Sequence, residues 1–471
     1  MKAKCMLTLG IIALSFFSCG RDNNVQPQPE QTGNTYVGMS IKFPKNTSLK
    51  ATSSDYNNAG TWNGRDVINN VTVFLVGKDY MNAQTFDKSA FKNINSQGVL
   101  EPNIALKAQA GKEIKAYVLI NATTSFINKL KAAGLEGFEK EYSEVEHEFT
   151  LNDVAKYDTS TGKDEIMMTN TNEVKILVRD NVTEAEALKP DNPNMFKVNA
   201  ERIVARAIVT SPQSAQIDKS GVPYVTISKV QYTVGQGNKK VYMLRRTDLQ
   251  SPGYGYVPTN GDWLNKGKIY YDYSQLNNLI ATTTTLVSPT PETIGSLNHG
   301  KFLFPVTHPD AEYRKGNTPY IELQATFAPV GNKLENGKAY NPGDDLYMGI
   351  SDRKFYKTLE DAKVAIPGQK VSTFKKGIMK YVLWLNPDNI TNPTISPVVR
   401  SNIYHVEVTG FKEVGLSYNP LNPEDPKMPD EPINPIDPED PLLSSKTYLS
   451  VTITTVPWDV HFYKVEVGNG Y

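Results

Sequence analysis

YVGMSIKF, residues 36–43, is the stretch that indicates how this chain folds. Its apolar side chains stand at every second position, at Val37, Met39, Ile41 and Phe43. Because successive side chains of a strand point to opposite faces of a sheet, this alternation indicates one buried and one solvent-facing side. The stretch therefore predicts a half-buried strand close to the start of the chain.

Many short apolar runs bounded by Gly, Pro or Asn continue the strand pattern. They occupy residues 71–76, 115–120, 201–210, 224–233, 240–244, 301–306, 320–327, 381–385 and 402–408. Antiparallel strands at such spacing, with no regular alternation of strands and helices, indicate a sandwich and not a parallel α/β sheet. The 30 Pro and 32 Gly fit many short elements joined by turns. We predict an all-β protein with small helical insertions.

The length of 471 residues favours two domains, because a single hydrophobic core stops growing at about 250–300 residues. The run at 201–210 reads as a strand buried on both faces over part of its length, and the first domain is predicted to end soon after it. The predicted segments are a signal peptide at 1–18, a tether with the first strand at 19–50, β-sandwich domains at 51–220 and 221–418, a proline-rich spacer at 419–446 and C-terminal strands at 447–471.

The first residues have the pattern of a bacterial export signal. Lys2 and Lys4 precede a mostly apolar run at 6–17, and a small serine stands before Cys19. The run is too short to span a bilayer. A cysteine at this position, after a small residue, resembles a bacterial lipobox, which implies cleavage before Cys19 and acylation of its thiol. A plain secretory signal with an incidental cysteine is the alternative. Since the other cysteine is Cys5, the folded body has neither a disulfide nor a thiol metal site.

The segment NPLNPEDPKMPDEPINPIDPEDP, residues 419–441, has a proline at every third position. Polyproline II has three residues per turn and rises about 3.1 Å per residue. The period therefore predicts a semi-rigid spacer that reaches on the order of 70 Å. An ordinary linker between domains is the alternative, but the residues that follow are too few for a domain.

Two strands are predicted beyond the spacer, at residues 447–456 and 459–467. Their alternating apolar residues are Leu449, Val451, Ile453, Tyr463, Val465 and Val467. A lone hairpin is marginal in water, so these strands must join another sheet. If proteolysis after Phe43 releases the first strand, the C-terminal strand of a neighbouring copy could fill the vacated groove by β-strand addition. Such a head-to-tail contact does not close on itself and makes filaments.

The remaining composition argues against other functions. Fifty basic and fifty acidic residues give zero formal charge, which excludes a basic surface for nucleic acid. The five histidines are dispersed and match no metal motif, and no nucleophile elbow or phosphate loop is present. Acidic pairs such as Asp344–Asp345 could bind calcium weakly, although solvated loop charge is the favoured interpretation. We predict no enzyme, no cofactor and no metal.

Several stretches resemble a known family. They are ERIVARA at 201–207, EIMMT at 165–169, SPGYGYVPT at 251–259, YRKGNTPY at 313–320, WLNP at 384–387, SPVVRSNIYHVEV at 396–408, GLSYNPL at 415–421 and YLSVTITTVPWDVHFYKVEV at 448–467. Taken from the N-terminus to the C-terminus, these stretches resemble the Bacteroidales fimbrillins, in particular the shaft subunits of minor (short) fimbriae.

The resemblance implies two transthyretin-like β-sandwich domains and a palmitate-bearing lipoprotein precursor, tethered to the outer membrane through Cys19. It also implies removal of the N-terminal strand by a trypsin-like protease, followed by donor-strand exchange through the C-terminal strands. By motif position, cleavage falls between Lys50 and Ala51. The family has arginine there, so a lysine-tolerant protease is needed, or Arg65 is cut instead; we favour Lys50.

The implied partners are further copies of the chain, the accessory, anchor and tip subunits, the maturation protease and, for the precursor, the membrane. The implied location is the outer membrane for the precursor and the cell-surface fimbrium after maturation, where the filament supports adhesion. Two alternatives stay open at this point. The chain could be an accessory or tip subunit of the same fimbria, or a monomeric surface lipoprotein adhesin.

Overall fold

Strands make up most of the regular structure. The structure is a computed structural model and describes residues 33–43, 66–92, 99–160, 162–259, 263–286, 297, 300–385, 396–425, 427–431, 436–442 and 459–467. The strands of the first half are β1 (Thr35–Lys42), β2 (Asn70–Val76), β3 (Met81–Asp87), β4 (Val99–Leu100), β5 (Leu106–Ala108), β6 (Glu113–Ile120), β7 (His147–Glu148), β8 (Ala155–Asp158), β9 (Lys163–Ile166), β10 (Met168–Asn170), β11 (Val174–Leu177) and β12 (Met195–Arg202).

The second half continues with further strands and carries two of the helices. Its strands are β13 (Ala205–Ser211), β14 (Ser214–Lys219), β15 (Val222–Gly235), β16 (Gly237–Asn238), β17 (Lys240–Val241), β18 (Tyr271–Asp272), β19 (Ile280–Ala281), β20 (Thr283–Thr284), β21 (Lys301–Leu303), β22 (Tyr320–Pro329), β23 (Leu346–Gly349), β24 (Phe355–Tyr356), β25 (Val371–Phe374), β26 (Ile378–Trp384), β27 (Asn402–Phe411) and β28 (Asp459–Val467). The α-helices among the described residues are α1 (Thr124–Ala132), α2 (Gly134–Ser143), α3 (Leu151–Val154), α4 (Glu184–Ala187), α5 (Trp263–Tyr270) and α6 (Leu359–Ala365).

The first half is built on a nine-stranded sheet in the order β3-β2-β6-β10-β12-β1-β4, with β11 also paired to β6 and β5 to β1. One hydrophobic cluster takes side chains from strands along the whole sheet, including Val73, Val118 and Val198. The outer face of β2 and β6 packs against α1 and α2, where Phe74 lies 4.7 Å from Phe138 between ring centroids. Strands β2 and β6 are therefore covered on both faces, by the core cluster on one side and by the helices on the other.

The second half is a sandwich of two five-stranded sheets. One has the order β20-β13-β27-β28 with β21 paired to β13, and the other has the order β14-β15-β22-β26 with β19 paired to β15. A single core joins them, since Val209 and Val406 of the first sheet share a cluster with Ile227 and Leu323 of the second. The all-β fold and the strands expected near residues 71–76, 115–120, 224–233, 320–327 and 402–408 are confirmed.

Several strand pairs are parallel, although the spacing of the apolar runs predicts antiparallel strands. In the first half β1 lies parallel to β12, and in the second half β13 lies parallel to β27. A parallel pair needs a long crossover, and here the remaining strands of each half supply it. Alternation of apolar residues predicts the buried face of a strand but says nothing about the direction of its neighbours, so the sequence could not reveal this.

The run at 201–210 is also corrected, because it is two strands and not one. Residues up to Arg202 belong to the nine-stranded sheet, whereas β13, from Ala205, lies in the second half beside β27. Ile203 and Val204 between them are fully buried. The change of sheet thus falls before residue 205, while the domain boundary near 220 remains a prediction.

Buried charges link the two halves where the chain changes sheet. Arg206 on β13 donates from Nη1 to Oδ2 of Asp164 on β9 at 3.1 Å, with side-chain exposures of 1% and 0%. Glu201 on β12 lies 3.3 Å from Arg245 and 3.5 Å from Arg400. Burial raises the pKa of Glu201, and the two arginines oppose that shift. The ERIVARA stretch therefore supplies an ionic contact between the halves.

The proline-rich segment packs on the body in its described parts, which corrects its interpretation as a free spacer. Leu421 and Leu442 are 0% and 1% exposed. Val371 donates its backbone N–H to the carbonyl of Asp430 at 3.1 Å, and Gly316 donates to that of Pro438 at 2.8 Å. These contacts place the segment along the surface of the second half.

Turns, and not polyproline II, account for the period of three. The backbone N–H of Asn422 donates to the carbonyl of Asn419 at 3.0 Å, and Asp425 donates to Asn422 at 3.2 Å. Each turn has proline at its second position, where the fixed φ of proline fits, and Asn419 and Asn422 also accept from the chain two residues on. An Asn-Pro or Asp-Pro pair was the signal in the sequence that could have predicted this.

Candidate functional site

The first strand lies inside the nine-stranded sheet and is paired on both sides. On one side β1 runs parallel to β12, from Gly38 opposite Met195 to Lys42 opposite Asn199. On the other side its two ends pair antiparallel with β5 and β4. Removing β1 would therefore leave unpaired backbone on β12, β5 and β4.

The predicted apolar face of this strand is buried. Val37, Met39, Ile41 and Phe43 are 0%, 1%, 0% and 4% exposed, and all four belong to the core cluster of the first half. Full burial of an aliphatic or aromatic side chain contributes about 1.5–3 kcal/mol. The four side chains together contribute roughly 6–12 kcal/mol of gross apolar burial, so this strand is a major part of the core.

Polar groups hold the first residues of β1. The side-chain hydroxyl of Thr35 donates to the carbonyl of Arg179 at 3.0 Å and accepts from the backbone N–H of Val182 at 3.1 Å. Asn194 donates from Nδ2 to the carbonyls of Tyr36 and Arg179 at 3.0 and 2.9 Å. The loop that precedes β12 thereby fixes the position at which β1 enters the sheet. Nothing in the sequence pattern pointed to Asn194.

Gly38 lets helix α4 approach the outer face of β1. A Cβ atom at Gly38 would lie 2.0 Å from the carbonyl oxygen of Ala187, which is far too close. The helix begins with a capping box in which Glu186 donates its backbone N–H to the hydroxyl of Thr183 at 3.3 Å and accepts from the Thr183 N–H at 2.9 Å. The bonds that the Glu186 carboxylate accepts from the backbone N–H and the hydroxyl of Thr183 lower the pKa of Glu186. The Thr-x-x-Glu spacing could have predicted the start of this helix.

Among the described strands, the C-terminal strand β28 lies at the edge of its sheet, with β27 as its neighbour. The two run parallel, from Asn402 opposite Asp459 to Phe411 opposite Val467. Tyr463 and Val465 take register positions opposite Val406 and Val408. The predicted strand at 459–467 is therefore present.

Other predicted site residues lie outside the part of the chain that the structure describes. These are Cys19, Lys50, Ala51, Arg65, Leu449, Val451 and Ile453. The structure does fix the chain directly after Arg65. Asp66 is 4% exposed and ion-paired with Arg202, and Val67 donates its N–H to the carbonyl of Asp164 at 2.8 Å.

The acidic pair Asp344–Asp345 has local partners. Asp345 accepts from Nζ of Lys375 at 2.8 Å and from the backbone N–H of Lys376 at 2.9 Å, and the bond from Lys375 lowers its pKa. Among the described residues, no group of acidic, histidine or cysteine side chains has the arrangement of a metal site. None of the helices among these same residues is long and apolar enough to cross a membrane.

Comparison with known proteins identifies the family to which the chain belongs. Residues 372–464 match the family described as major fimbrial subunit protein type IV, fimbrillin, C-terminal. This region holds β26, β27 and the first residues of β28. Over 506 aligned positions the chain is 31% identical to the minor fimbrium subunit Mfa1 of Porphyromonas gingivalis, with 99% of this chain and 100% of the relative covered. The chain therefore belongs to the fimbrillin family that includes this minor fimbrium subunit.

Solved structures give more distant likenesses. A candidate cell adhesion protein from Parabacteroides distasonis is 14% identical with a TM-score of 0.43, and the match covers 92% of this chain and 100% of that one. The tip fimbrial protein Mfa3 of Porphyromonas gingivalis, with a C-terminal truncation, is 9% identical with a TM-score of 0.35, covering 79% and 94%. Family membership makes this chain a non-enzymatic structural protein of a cell-surface fimbrium, with fimbrial subunits as its partners.

Proposed function

We propose that the chain is the shaft subunit of a short fimbria, exported as a lipoprotein, matured by loss of its N-terminal strand and polymerised by donor-strand exchange. The observation that carries the proposal is the position of β1. It is the first described strand, yet it is paired on both sides and its apolar face is fully buried. A single cut after it would release a core strand without breaking any other part of the sheet.

The energetics of such a release favour replacement by another strand. Loss of β1 would uncover the pockets of Val37, Met39, Ile41 and Phe43 together with unpaired backbone of β12. A donor strand with alternating apolar residues regains about 1.5–3 kcal/mol for each buried side chain and about 0.5–1.5 kcal/mol for each ladder hydrogen bond. Main-chain pairing gives affinity, and the alternate pockets give selectivity for the donor.

The C-terminal strands are the donor in this proposal. Within the described residues β28 is held by one neighbour, so it is more easily released than a strand inside a sheet. Strand β28 also pairs with β27 in parallel, just as β1 pairs with β12 in parallel. The donor comprises the residues named from the sequence, Leu449, Val451, Ile453, Tyr463, Val465 and Val467, and either of the two strands could enter the groove.

Maturation at Lys50 gives a prediction with a matched control. A protease must hold several extended residues on both sides of the bond that it cuts, and buried, hydrogen-bonded backbone resists this. Because Asp66 is buried and paired, the bond after Arg65 is poorly placed for cleavage. We expect Lys50→Gln to block maturation and filament formation, while Arg65→Gln matures normally. N-terminal sequencing after limited trypsin, with gel electrophoresis of non-boiled samples, distinguishes them; normal filaments from Lys50→Gln would disprove this site.

Lipidation gives a second prediction. We expect Cys19→Ser to abolish incorporation of labelled fatty acid and to leave the precursor unanchored, because several acyl chains on one residue supply the membrane affinity. Cys5→Ser is the matched control and should label like the natural chain, since the proposed signal peptidase removes Cys5. Equal labelling of the Cys19 variant and the control would mean that the cysteine is not the anchor.

A further inference from the structure

A tyrosine-lined groove in the second half has no part in the proposed assembly. It has a volume of about 610 Å³, is open to solvent, and lies between the segment that follows residue 249 and helix α5. Tyr242, Tyr254, Tyr256 and Tyr270 line it, and no residue of β1 or β28 does. The SPGYGYVPT stretch supplies two of these tyrosines, so strand exchange leaves this motif unexplained.

Buried polar residues hold the groove in one shape. Nδ1 of His308 lies 3.0 Å from the carbonyl oxygen of Tyr254, and Nδ2 of Asn317 donates to the carbonyl of Tyr256 at 3.0 Å. His308 and Asn317 are 4% and 0% exposed. The loop that carries the two tyrosines is thus fixed from beneath before any ligand arrives, and such preorganisation lowers the entropy cost of binding.

The aromatic rings are also fixed against each other. Tyr256 and Tyr270 stack with centroids 4.8 Å apart and an angle of 28°. Gly253 has a φ of +74°, and a Cβ there would lie 2.9 Å from a ring atom of Tyr270, so glycine suits both the turn and the ring. At the other wall the hydroxyl of Tyr242 donates to the carboxylate of Glu146 at 3.0 Å.

We infer that this groove binds a neutral oligosaccharide. A pyranose ring has an apolar C–H face, which packs on an aromatic ring, and a rim of hydroxyls, which bind carboxylate, amide and hydroxyl groups. The groove offers both kinds of surface: the partly exposed rings of Tyr254 and Tyr270 provide the aromatic part, and Glu146, Gln250 and Thr259 provide the polar part. Tyrosine suits such recognition because it gives a large amphipathic contact at low entropy cost.

Charge, size and lining favour this ligand class over others. The charged residues of the lining are Glu146 and Lys266, one of each sign, while Asp248, Asp310 and Glu312 act on Tyr254 from nearby, so the groove disfavours an anionic ligand. The volume lies within the range of about 300–1,000 Å³ that small-ligand sites occupy. An amphipathic peptide helix needs an apolar groove, whereas the aliphatic part of this lining is Val257. The inference holds whether or not strand exchange joins the subunits.

Binding can be tested on the chain from residue 20 onward by saturation-transfer difference NMR. The probes are maltotriose, cellotriose, mannotriose, N,N′-diacetylchitobiose and N-acetyllactosamine. We expect at least one to bind with a Kd of about 1 mM or tighter. Loss of one stacking ring in Tyr254→Ala should weaken that binding about tenfold, while Tyr254→Phe stays within about threefold. Tyr347→Ala, outside the groove, is the control and should bind like the natural chain.

A second variant distinguishes loss of binding from a folding defect in Tyr254→Ala. No atom lies within 4 Å of a Cβ added at Gly255, so Gly255→Arg should fold normally and fill the groove. It should abolish binding with an unchanged melting temperature. Failure of every probe to bind, or binding that neither variant weakens, would overturn the inference. So would a phage-displayed peptide that binds through Tyr254 while no saccharide does, since this would assign the groove to a protein partner.

Discussion

A chain that lacks residues 448–471 is expected to fold and to form no filaments. It keeps β1, the nine-stranded sheet and the pairing of β13 with β27, but it has no donor strand. Cleavage after Lys50 should then open a groove that no copy can fill. Electron microscopy and gel electrophoresis of non-boiled samples, before and after limited trypsin, measure the result, and filaments from this variant would disprove the donor assignment.

The truncated chain should also act as a chain terminator. Because its groove is intact after cleavage, it can accept a strand but cannot donate one, so mean filament length should fall as its share of a mixture with the full chain rises. A chain that lacks residues 468–471 is the matched control, since it ends directly after β28. It should polymerise like the full chain. Unchanged filament length in the mixture would mean that the truncated chain cannot accept a strand.

Arg206→Met is expected to destabilise the protein by about 3–5 kcal/mol, because it removes the guanidinium that pairs with the buried carboxylate of Asp164. The pair is 3.1 Å apart, and both side chains are almost fully buried. The free energy of unfolding in urea, followed by circular dichroism, measures this loss. The control is Lys175→Met, which breaks an exposed pair of 3.2 Å with Glu113 between β11 and β6 and should cost less than about 1 kcal/mol.

A double variant separates the ion pair from the loss of packing. Asp164→Asn removes the charge that Arg206→Met leaves behind, so the two changes together should cost about 1–3 kcal/mol less than the sum of the single changes. Additive effects would show that the charges do not stabilise the contact between the halves. Destabilisation by Arg206→Met no larger than that of Lys175→Met would contradict the prediction itself.

Local patterns predicted the parts of the candidate site that depend on one strand at a time. The alternation of Val37, Met39, Ile41 and Phe43 identified both β1 and its buried face. The anchors of that strand were not predicted, because Asn194 is 158 residues away from Tyr36 along the chain. The tyrosine groove was missed for the same reason: Tyr254 and His308 are 54 residues apart, and neither alone indicates a site.

The proline segment shows how one period can fit two structures. Three residues per turn suit polyproline II, but three residues also separate the second positions of consecutive β-turns. Two of the described turns begin at Asn419 and Asn422, and the side chain of each accepts a hydrogen bond from the backbone N–H two residues later. Burial of Leu421 and Leu442 then holds the segment on the body.

The all-β class, the buried face of β1 and the resemblance to fimbrillins could be predicted from the sequence alone. These properties follow from residue spacing along a backbone whose side chains alternate, or from motifs read in order. Only the tertiary structure decided the parallel pairing of β1 with β12, the ionic contact of Arg206 with Asp164 and the path of the proline segment. The physical reason is that strand partners, buried charges and grooves join residues distant in the chain, and their energies depend on burial that no local pattern specifies.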